Sequence, residues 1–124
     1  MKKKILLVDD EATIGQLFKN RLESTGAYEV RVETKGTNAL SATQAFRPDL
    51  IFLDIMMPDM EGSEVALQIK GDPGLKNTPI IFLTAAVTHE EVRSKGGMIG
   101  SQTFLAKPWD TRELMECIER HLQG

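Results

Sequence analysis

The sequence predicts an α/β fold in which helices cover both faces of a parallel sheet. Three short runs are continuously apolar rather than alternating: Ile5–Val8, Leu50–Leu53 and Ile80–Leu83. Such runs are typical of parallel strands, because both faces of a parallel sheet are buried. Segments with helical spacing separate the runs, and this alternation favours right-handed crossovers and a three-layer α/β sandwich.

Two further segments complete a set of five strands. Tyr28–Val32 alternates between apolar and polar residues, which suits an outer strand, and Thr103–Ala106 is the fifth strand. Gly26 and Pro48 mark the ends of the first two helices, while Asp110 is a suitable N-cap for the last one. The predicted helices are Ile14–Leu22, Ala39–Phe46, Val65–Ile69, Thr88–Lys95 and Asp110–Leu122.

Length and composition indicate one domain, residues 1–124, of which 41% are hydrophobic. Fifteen basic and 18 acidic residues give a net charge of −3, which argues against nucleic-acid binding by this domain. Cys117 is the single cysteine and lies in an apolar helical pattern, so we expect a buried thiol. The first apolar run is too short for a signal peptide or a membrane span, which predicts a cytoplasmic protein without membrane contact.

Polar residues follow the predicted strands where functional groups collect in parallel sheets. Asp9 and Asp10 follow the first strand, Asp54 the third, Thr84 the fourth and Lys107 the fifth. Because the carboxyl ends of parallel strands meet at one edge, we expect these five side chains to converge. Taken singly, each residue also suits an ordinary helix cap, loop or solvated position.

The charge of this edge predicts a metal site. Three carboxylates and one ammonium sum to −2, and crowded like charges cost stability unless they are neutralised. A divalent cation with oxygen ligands brings the sum to zero, and Mg²⁺ fits best because it shares carboxylate and phosphate oxygens. Mn²⁺ is the alternative cation. Lys107 supplies a point charge suited to a phosphoryl group.

In their order along the chain, these motifs resemble the receiver domain of two-component response regulators, of the chemotaxis-regulator kind. The resemblance covers the whole length and implies a flavodoxin-like (βα)5 sandwich with strand order 2-1-3-4-5. The matching segments are Leu-Val-Asp-Asp-Glu at 7–11, Leu-Asp-Ile-Met-Met-Pro-Asp-Met-Glu-Gly at 53–62, Leu-Thr-Ala at 83–85 and Phe-Leu-Ala-Lys-Pro at 104–108.

The resemblance implies the chemistry of the predicted edge. Asp54 is the phosphoacceptor, which attacks a phosphohistidine on a sensor histidine kinase or a histidine phosphotransfer protein. Asp9, Asp10 and Asp54 hold Mg²⁺ together with the backbone carbonyl of Met56. The domain is then a switch and not an enzyme, apart from self-phosphorylation and slow autodephosphorylation.

The resemblance also implies a switch and an output surface. Thr84 binds a phosphoryl oxygen, Lys107 pairs with Asp54 and then with its phosphate, and Phe104 is the switch aromatic. The peptide bond before Pro108 is expected to be cis. The output is a downstream effector protein or a homodimer, contacted through the predicted fourth helix, fifth strand and fifth helix.

Two positions bear on the lifetime of the phosphorylated form. Met56 and Ala86 stand where side chains of rapidly signalling relatives orient the attacking water, and neither can do so usefully. The segment from Thr84 to Lys107 is one residue longer than is usual in the family, and Ser101 stands where alanine is common. Both departures concern the predicted fourth helix rather than the acceptor site.

Three other functions compete with this interpretation. A flavodoxin-like FMN protein needs a phosphate-binding loop after the first strand, whereas Asp9 and Asp10 would repel phosphate without a metal. A phosphatase of the haloacid-dehalogenase type needs a second aspartate two residues after its nucleophile, where this chain has Met56. A degenerate receiver that acts only as a scaffold would lack site residues that are all present here.

Overall fold

The computed structural model describes residues 2–85, 98–99 and 102–122. The predicted helix at 88–95 and Ala86 lie outside the described residues. The strands are β1 Lys3–Val8, β2 Tyr28–Glu33, β3 Leu50–Asp54, β4 Ile80–Thr84, β5 Met98–Ile99 and β6 Gln102–Ala106. The helices are α1 Ala12–Glu23, α2 Ala39–Phe46, α3 Gly62–Lys70 and α4 Thr111–Leu122, with a 3-10 turn at Gly36–Asn38.

One sheet contains the six described strands in the order β2-β1-β3-β4-β6-β5. The first five strands in this order are parallel, and β6 is the predicted fifth strand. This confirms the predicted order 2-1-3-4-5 of a flavodoxin-like fold. β2 lies at one edge, as its alternating pattern predicted. At the other edge, β5 pairs antiparallel with β6, with Met98 opposite Thr103. The sequence did not predict β5, because two residues cannot form a recognisable pattern.

Two apolar clusters lie on opposite faces of the sheet. Because successive strand residues point to opposite faces, Ile5 and Leu7 of β1 belong to one cluster and Leu6 and Val8 to the other. The first cluster includes buried residues of α1 and α4, among them the predicted core thiol of Cys117. The second includes residues of α2 and α3. The sheet is therefore the middle layer of a three-layer sandwich.

The helix ends follow the predicted signals with one difference. Asp110 caps α4, since its Oδ1 accepts a hydrogen bond from the Arg112 N–H at 2.8 Å. Arg47, the residue before Pro48, ends α2 in the left-handed region with φ 54°. α1 ends at Glu23, before the predicted stop, and Gly26 takes φ 78° in the turn to β2.

β2 turns alternate backbone groups away from the sheet. The carbonyls of Ala27 and Glu33 accept hydrogen bonds from the N–H groups of Lys3 and Asp9, at 3.1 and 3.0 Å. Since the strand repeats every two residues, these two positions face β1 and Val30 faces outward.

Two side chains of α1 bond the outward groups of Val30. Lys19 Nζ donates to the Val30 carbonyl at 2.9 Å, and Glu23 Oε2 accepts from the Val30 N–H at 3.0 Å. Lys19 Nζ and Glu23 Oε2 are themselves 3.5 Å apart. This ion pair occupies the position at which the backbone of an added strand would form its hydrogen bonds.

Replacing Lys19 and Glu23 together with alanine is expected to expose the Val30 amide. Its hydrogen exchange should accelerate by roughly fivefold, the equivalent of one lost hydrogen bond. The matched control replaces Gln16 and Asn20, an i,i+4 pair on the same helix whose amides bond each other at 2.8 Å. Amide exchange followed by NMR checks this, and an equal rate in wild type and the Lys19/Glu23 variant would contradict it.

Candidate functional site

The predicted site residues meet at the carboxyl edge of the sheet. The strand register brings this about, because Asp54 at the end of β3 lies beside Leu83 of β4, and Thr84 at the end of β4 lies beside Ala106 of β6. Lys107 follows directly, and its N–H donates to the Thr84 carbonyl at 2.9 Å. The last residues of three neighbouring strands therefore lie within one residue of the same level.

Asp9 is the most deeply buried charged residue of this edge, with 0% of its surface exposed. Its Oδ1 accepts a hydrogen bond from the Glu11 N–H at 3.0 Å. Its Oδ2 lies 2.9 Å from Lys107 Nζ and has no other polar partner among the residues that the structure describes. A carboxylate oxygen can accept two such contacts, so the Oδ2 of Asp9 has capacity for one more.

Lys107 joins three carboxylates. Besides Asp9, its Nζ lies 3.3 Å from Asp54 Oδ2 and 3.4 Å from Glu11 Oε1. Burial lowers the pKa of the ammonium, but the hydrogen bonds and charges of Asp9 and Asp54 outweigh burial, so the pKa lies above its ordinary value. Lys107 is therefore a permanent cation at neutral pH. The peptide bond between Lys107 and Pro108 is cis.

Asp54 is nearly buried, with 5% of its surface exposed. Its Oδ2 faces Lys107 and its Oδ1 accepts a hydrogen bond from the Met56 N–H at 3.3 Å. Burial raises the pKa of this carboxyl and the charge of Asp9 raises it further, while Lys107 and the Met56 N–H act in the opposite direction. The net pKa is above the ordinary value, so the ionised form is destabilised in the absence of further positive charge.

The carboxylates form a suitable site for a divalent cation. One oxygen from each of Asp9, Asp10 and Asp54 lies within 4.8 Å of the other two. Asp10 is exposed, so the cluster is open to solvent on its side. Hard oxygen donors are the ligands that Mg²⁺ prefers, and the Oδ2 of Asp9, which has Lys107 as its single partner among the described residues, has capacity for a cation.

A glycine lets the backbone pass close behind Asp54. A Cβ on Gly62 would overlap the Asp54 carbonyl oxygen and would lie 2.9 Å from the Ile55 Cα. The Gly62 N–H donates to the Ile55 carbonyl at 2.8 Å, which closes the loop between β3 and α3. Gly62 and Glu11 received no role from the sequence, although both lie in the quoted motifs.

The remaining predicted residues have distinct surroundings. Thr84 is 6% exposed, whereas Met56, two residues after Asp54, is 78% exposed. Phe104 is half-buried, with its ring centroid 5.7 Å from that of Phe82 in the second cluster. Ala86, the second residue expected to affect hydrolysis, lies outside the described residues.

No helix within residues 2–85, 98–99 and 102–122 is long and apolar enough to cross a membrane.

Relatives in solved structures share the fold of this chain. Chemotaxis protein CheY4 of Vibrio cholerae superposes with a TM-score of 0.82 at 33% identity, over 98% of this chain and 100% of that one. The receiver domain of a sensor histidine kinase from Pseudomonas aeruginosa superposes with a TM-score of 0.80 at 28% identity, over 97% of each chain. That neighbour has a magnesium ion coordinated in its active-site cleft.

Proteins with related sequences match this chain over nearly its whole length. PilG of Pseudomonas aeruginosa is 32% identical over 119 residues, which cover 96% of this chain and 87% of PilG. The polar-differentiation response regulator DivK of Brucella anthropi is 33% identical over 123 residues, 98% of each chain. The DNA-binding response regulator MtrA of Mycobacterium tuberculosis is 33% identical, and the alignment covers 52% of its length. The family model described as response regulator receiver domain matches residues 5–119. The chain therefore belongs to the response regulator receiver domain family.

Proposed function

We propose that this domain, residues 1–124, accepts a phosphoryl group on Asp54 from the phosphohistidine of a histidine kinase or a histidine phosphotransfer protein. A receiver domain is a phosphoacceptor and signalling switch rather than a true enzyme, and it implies a histidine kinase partner. One observation carries the proposal. Asp54 is a buried carboxylate inside a three-carboxylate cluster, with the Lys107 ammonium 3.3 Å away.

The transfer needs little covalent help from the protein. A carboxylate oxygen of Asp54 forms a bond to phosphorus, the bond from phosphorus to the histidine nitrogen breaks, and its electron pair returns to the imidazole. Such transfers depend on positioning and on neutralising charge. The Met56 N–H and Lys107 hold the two oxygens of Asp54 before transfer. Lys107 then offsets the charge of the new phosphoryl group.

Asp9, Asp10, Asp54 and the Met56 carbonyl are the residues that would hold Mg²⁺, with Mn²⁺ as a substitute. When bound, the cation supplies positive charge that offsets the negative charge on the oxygens of the transferring group. Support comes from the carboxylate cluster and from the Oδ2 of Asp9, which has Lys107 as its single partner among the described residues. The magnesium ion of the kinase receiver domain gives independent support from a relative.

The switch acts through Thr84 and Phe104. The Thr84 hydroxyl binds a phosphoryl oxygen, and the Phe104 ring moves in response. The half-buried packing of Phe104 on Phe82 is compatible with a ring that has two positions. The output partner is a downstream effector or a second copy of the domain, in the cytoplasm and without nucleic acid. The predicted helix at 88–95, which is part of the predicted output surface, lies outside the described residues.

Asp54 is expected to be modified by a small acyl phosphate only when Mg²⁺ is present. Without the cation, the approaching phosphoryl group meets an edge whose carboxylates outnumber its ammonium. Intact-mass analysis measures the product. Asp54→Asn should remain unmodified, and Asp49→Asn, which alters an exposed carboxylate that bonds the Lys4 N–H, should react like wild type.

Two results would reject the assignment of Asp54. One is equal modification of the Asp54→Asn variant, and the other is full reaction of wild type in excess chelator.

Asp54→Asn is expected to stabilise the metal-free protein at neutral pH. The folded pKa of Asp54 is raised above its ordinary value of 3.8, so its ionisation opposes folding. This destabilisation is absent below the ordinary value, grows as pH rises towards the folded pKa, and is complete above it. Lys107 keeps its 2.9 Å partner Asp9 in the variant.

Thermal unfolding in chelator over a series of pH values measures this effect. The midpoint of the variant should exceed that of wild type near neutral pH and approach it in acid. Saturating Mg²⁺ should reduce the gap because wild type gains more from the cation. A variant less stable than wild type at neutral pH would contradict the sign of the Asp54 effect.

The phosphorylated form is expected to hydrolyse slowly, because Met56 offers no group that orients water. Replacing Met56 with Asn and Ala86 with Glu should accelerate the loss of phosphate by roughly tenfold or more. The decay of Asp54 phosphate in Mg²⁺ at neutral pH measures this. Leu67→Asn is the matched control, since Leu67 is comparably exposed at 73% but lies on α3. Unchanged decay in the double variant would contradict the water-orientation argument.

A further inference from the structure

Asp59 connects the loop after Asp54 to a second loop of the same sheet edge. Its Oδ1 accepts a hydrogen bond from the Gly36 N–H at 3.2 Å. Its Oδ2 accepts from the Thr37 N–H at 3.0 Å and from the Thr37 hydroxyl at 3.1 Å. The hydrogen bond from the Thr37 N–H is the largest of the effects that hold the pKa of Asp59 below its ordinary value. One ionised side chain therefore joins this loop to Gly36 and Thr37, which precede Asp59 by 23 and 22 residues in the sequence.

The two loops are also packed together without spare room. A Cβ on Gly36 would lie 3.1 Å from the Met60 Cβ, 3.2 Å from the Met60 carbonyl and 3.2 Å from the Met57 Cε. Met57 is itself buried in the second apolar cluster. The close approach of the two loops therefore depends on glycine at position 36.

The same loop contains the backbone that the acceptor site uses. Its start is held where the Met56 N–H donates to Asp54, and its end is held where Gly62 packs on the Asp54 carbonyl. The Met56 side chain is exposed and therefore does not anchor the loop. Met57 and Asp59 are the next residues along the loop with contacts that fix the backbone.

We propose that Asp59 is a positioning residue for the acceptor site, because its three hydrogen bonds to Gly36 and Thr37 hold the loop at 55–61 in the form that binds a divalent cation. The inference rests on the proposed function, since it concerns the Met56 carbonyl as a ligand. Asp59 contacts neither the cation nor the phosphoryl group and acts only through the loop backbone. Residues that orient metal ligands in this way typically contribute about 10–100-fold to affinity.

Calorimetric titration with Mg²⁺ alone tests the proposal on three variants. Asp59→Ala removes all three bonds and should weaken Mg²⁺ binding roughly tenfold. Asp59→Asn keeps one accepting oxygen and should fall between Asp59→Ala and wild type. Asp72→Ala is the matched control, because Asp72 also accepts side-chain and backbone bonds, from Gln44 at 3.0 Å and Gly74 at 2.8 Å, at the other end of α2 and α3. Its Mg²⁺ affinity should equal that of wild type.

Phosphorylation by a small acyl phosphate separates positioning from general damage to the fold. The rate for Asp59→Ala should be reduced at low Mg²⁺ and should recover towards wild type at saturating Mg²⁺. Wild-type Mg²⁺ affinity in Asp59→Ala, or an equal loss in Asp72→Ala, would overturn the proposal. Failure of wild type to be modified at Asp54 would instead reject the proposed function, so the two failures are distinguishable.

Discussion

Two buried carboxylates share one ammonium at the carboxyl edge of the sheet. Asp9, Asp54 and Lys107 carry two negative charges and one positive charge in a space nearly closed to water. Such an arrangement opposes folding unless the charges are bonded, because desolvated like charges repel strongly. Each carboxylate therefore accepts a backbone N–H, from Glu11 and from Met56. The negative charge that remains is what makes this edge receptive to a cation.

The rest of the fold keeps these charges in place. Strands β1, β3 and β4 each contain four consecutive apolar residues that lie between two layers of helices, which leaves the relative positions of the strands little freedom. Their parallel register brings strand ends, and not strand centres, together at the site. A rigid sheet thus supports an electrostatically unfavourable cluster, and short loops at its edge provide the backbone donors.

The sequence predicted the parts of this arrangement that depend on local pattern. Continuous apolar runs identified the inner strands, and polar residues directly after them identified the site. Contacts between side chains of distant segments could be expected only where the ends of parallel strands meet, because no local pattern encodes the others. The pairing of Lys107 with Asp54, for example, was expected from the resemblance, whereas its contacts with Asp9 and Glu11 depend on three-dimensional packing. The bonds from Asp59 to Gly36 and Thr37 have the same origin.

Both edges of the described sheet have features that discourage the addition of another strand. On one side, Lys19 and Glu23 bond the outward groups of Val30, and on the other, the sheet ends in the two-residue antiparallel strand β5. We therefore expect a protein partner to contact this domain through side chains of helices and loops, and not through a continuous backbone ladder. Recognition by side chains can diverge by a few surface substitutions while the sheet stays the same. Domains of this architecture can thus coexist in one cell with separate partners, because specificity is carried by residues that the fold does not need.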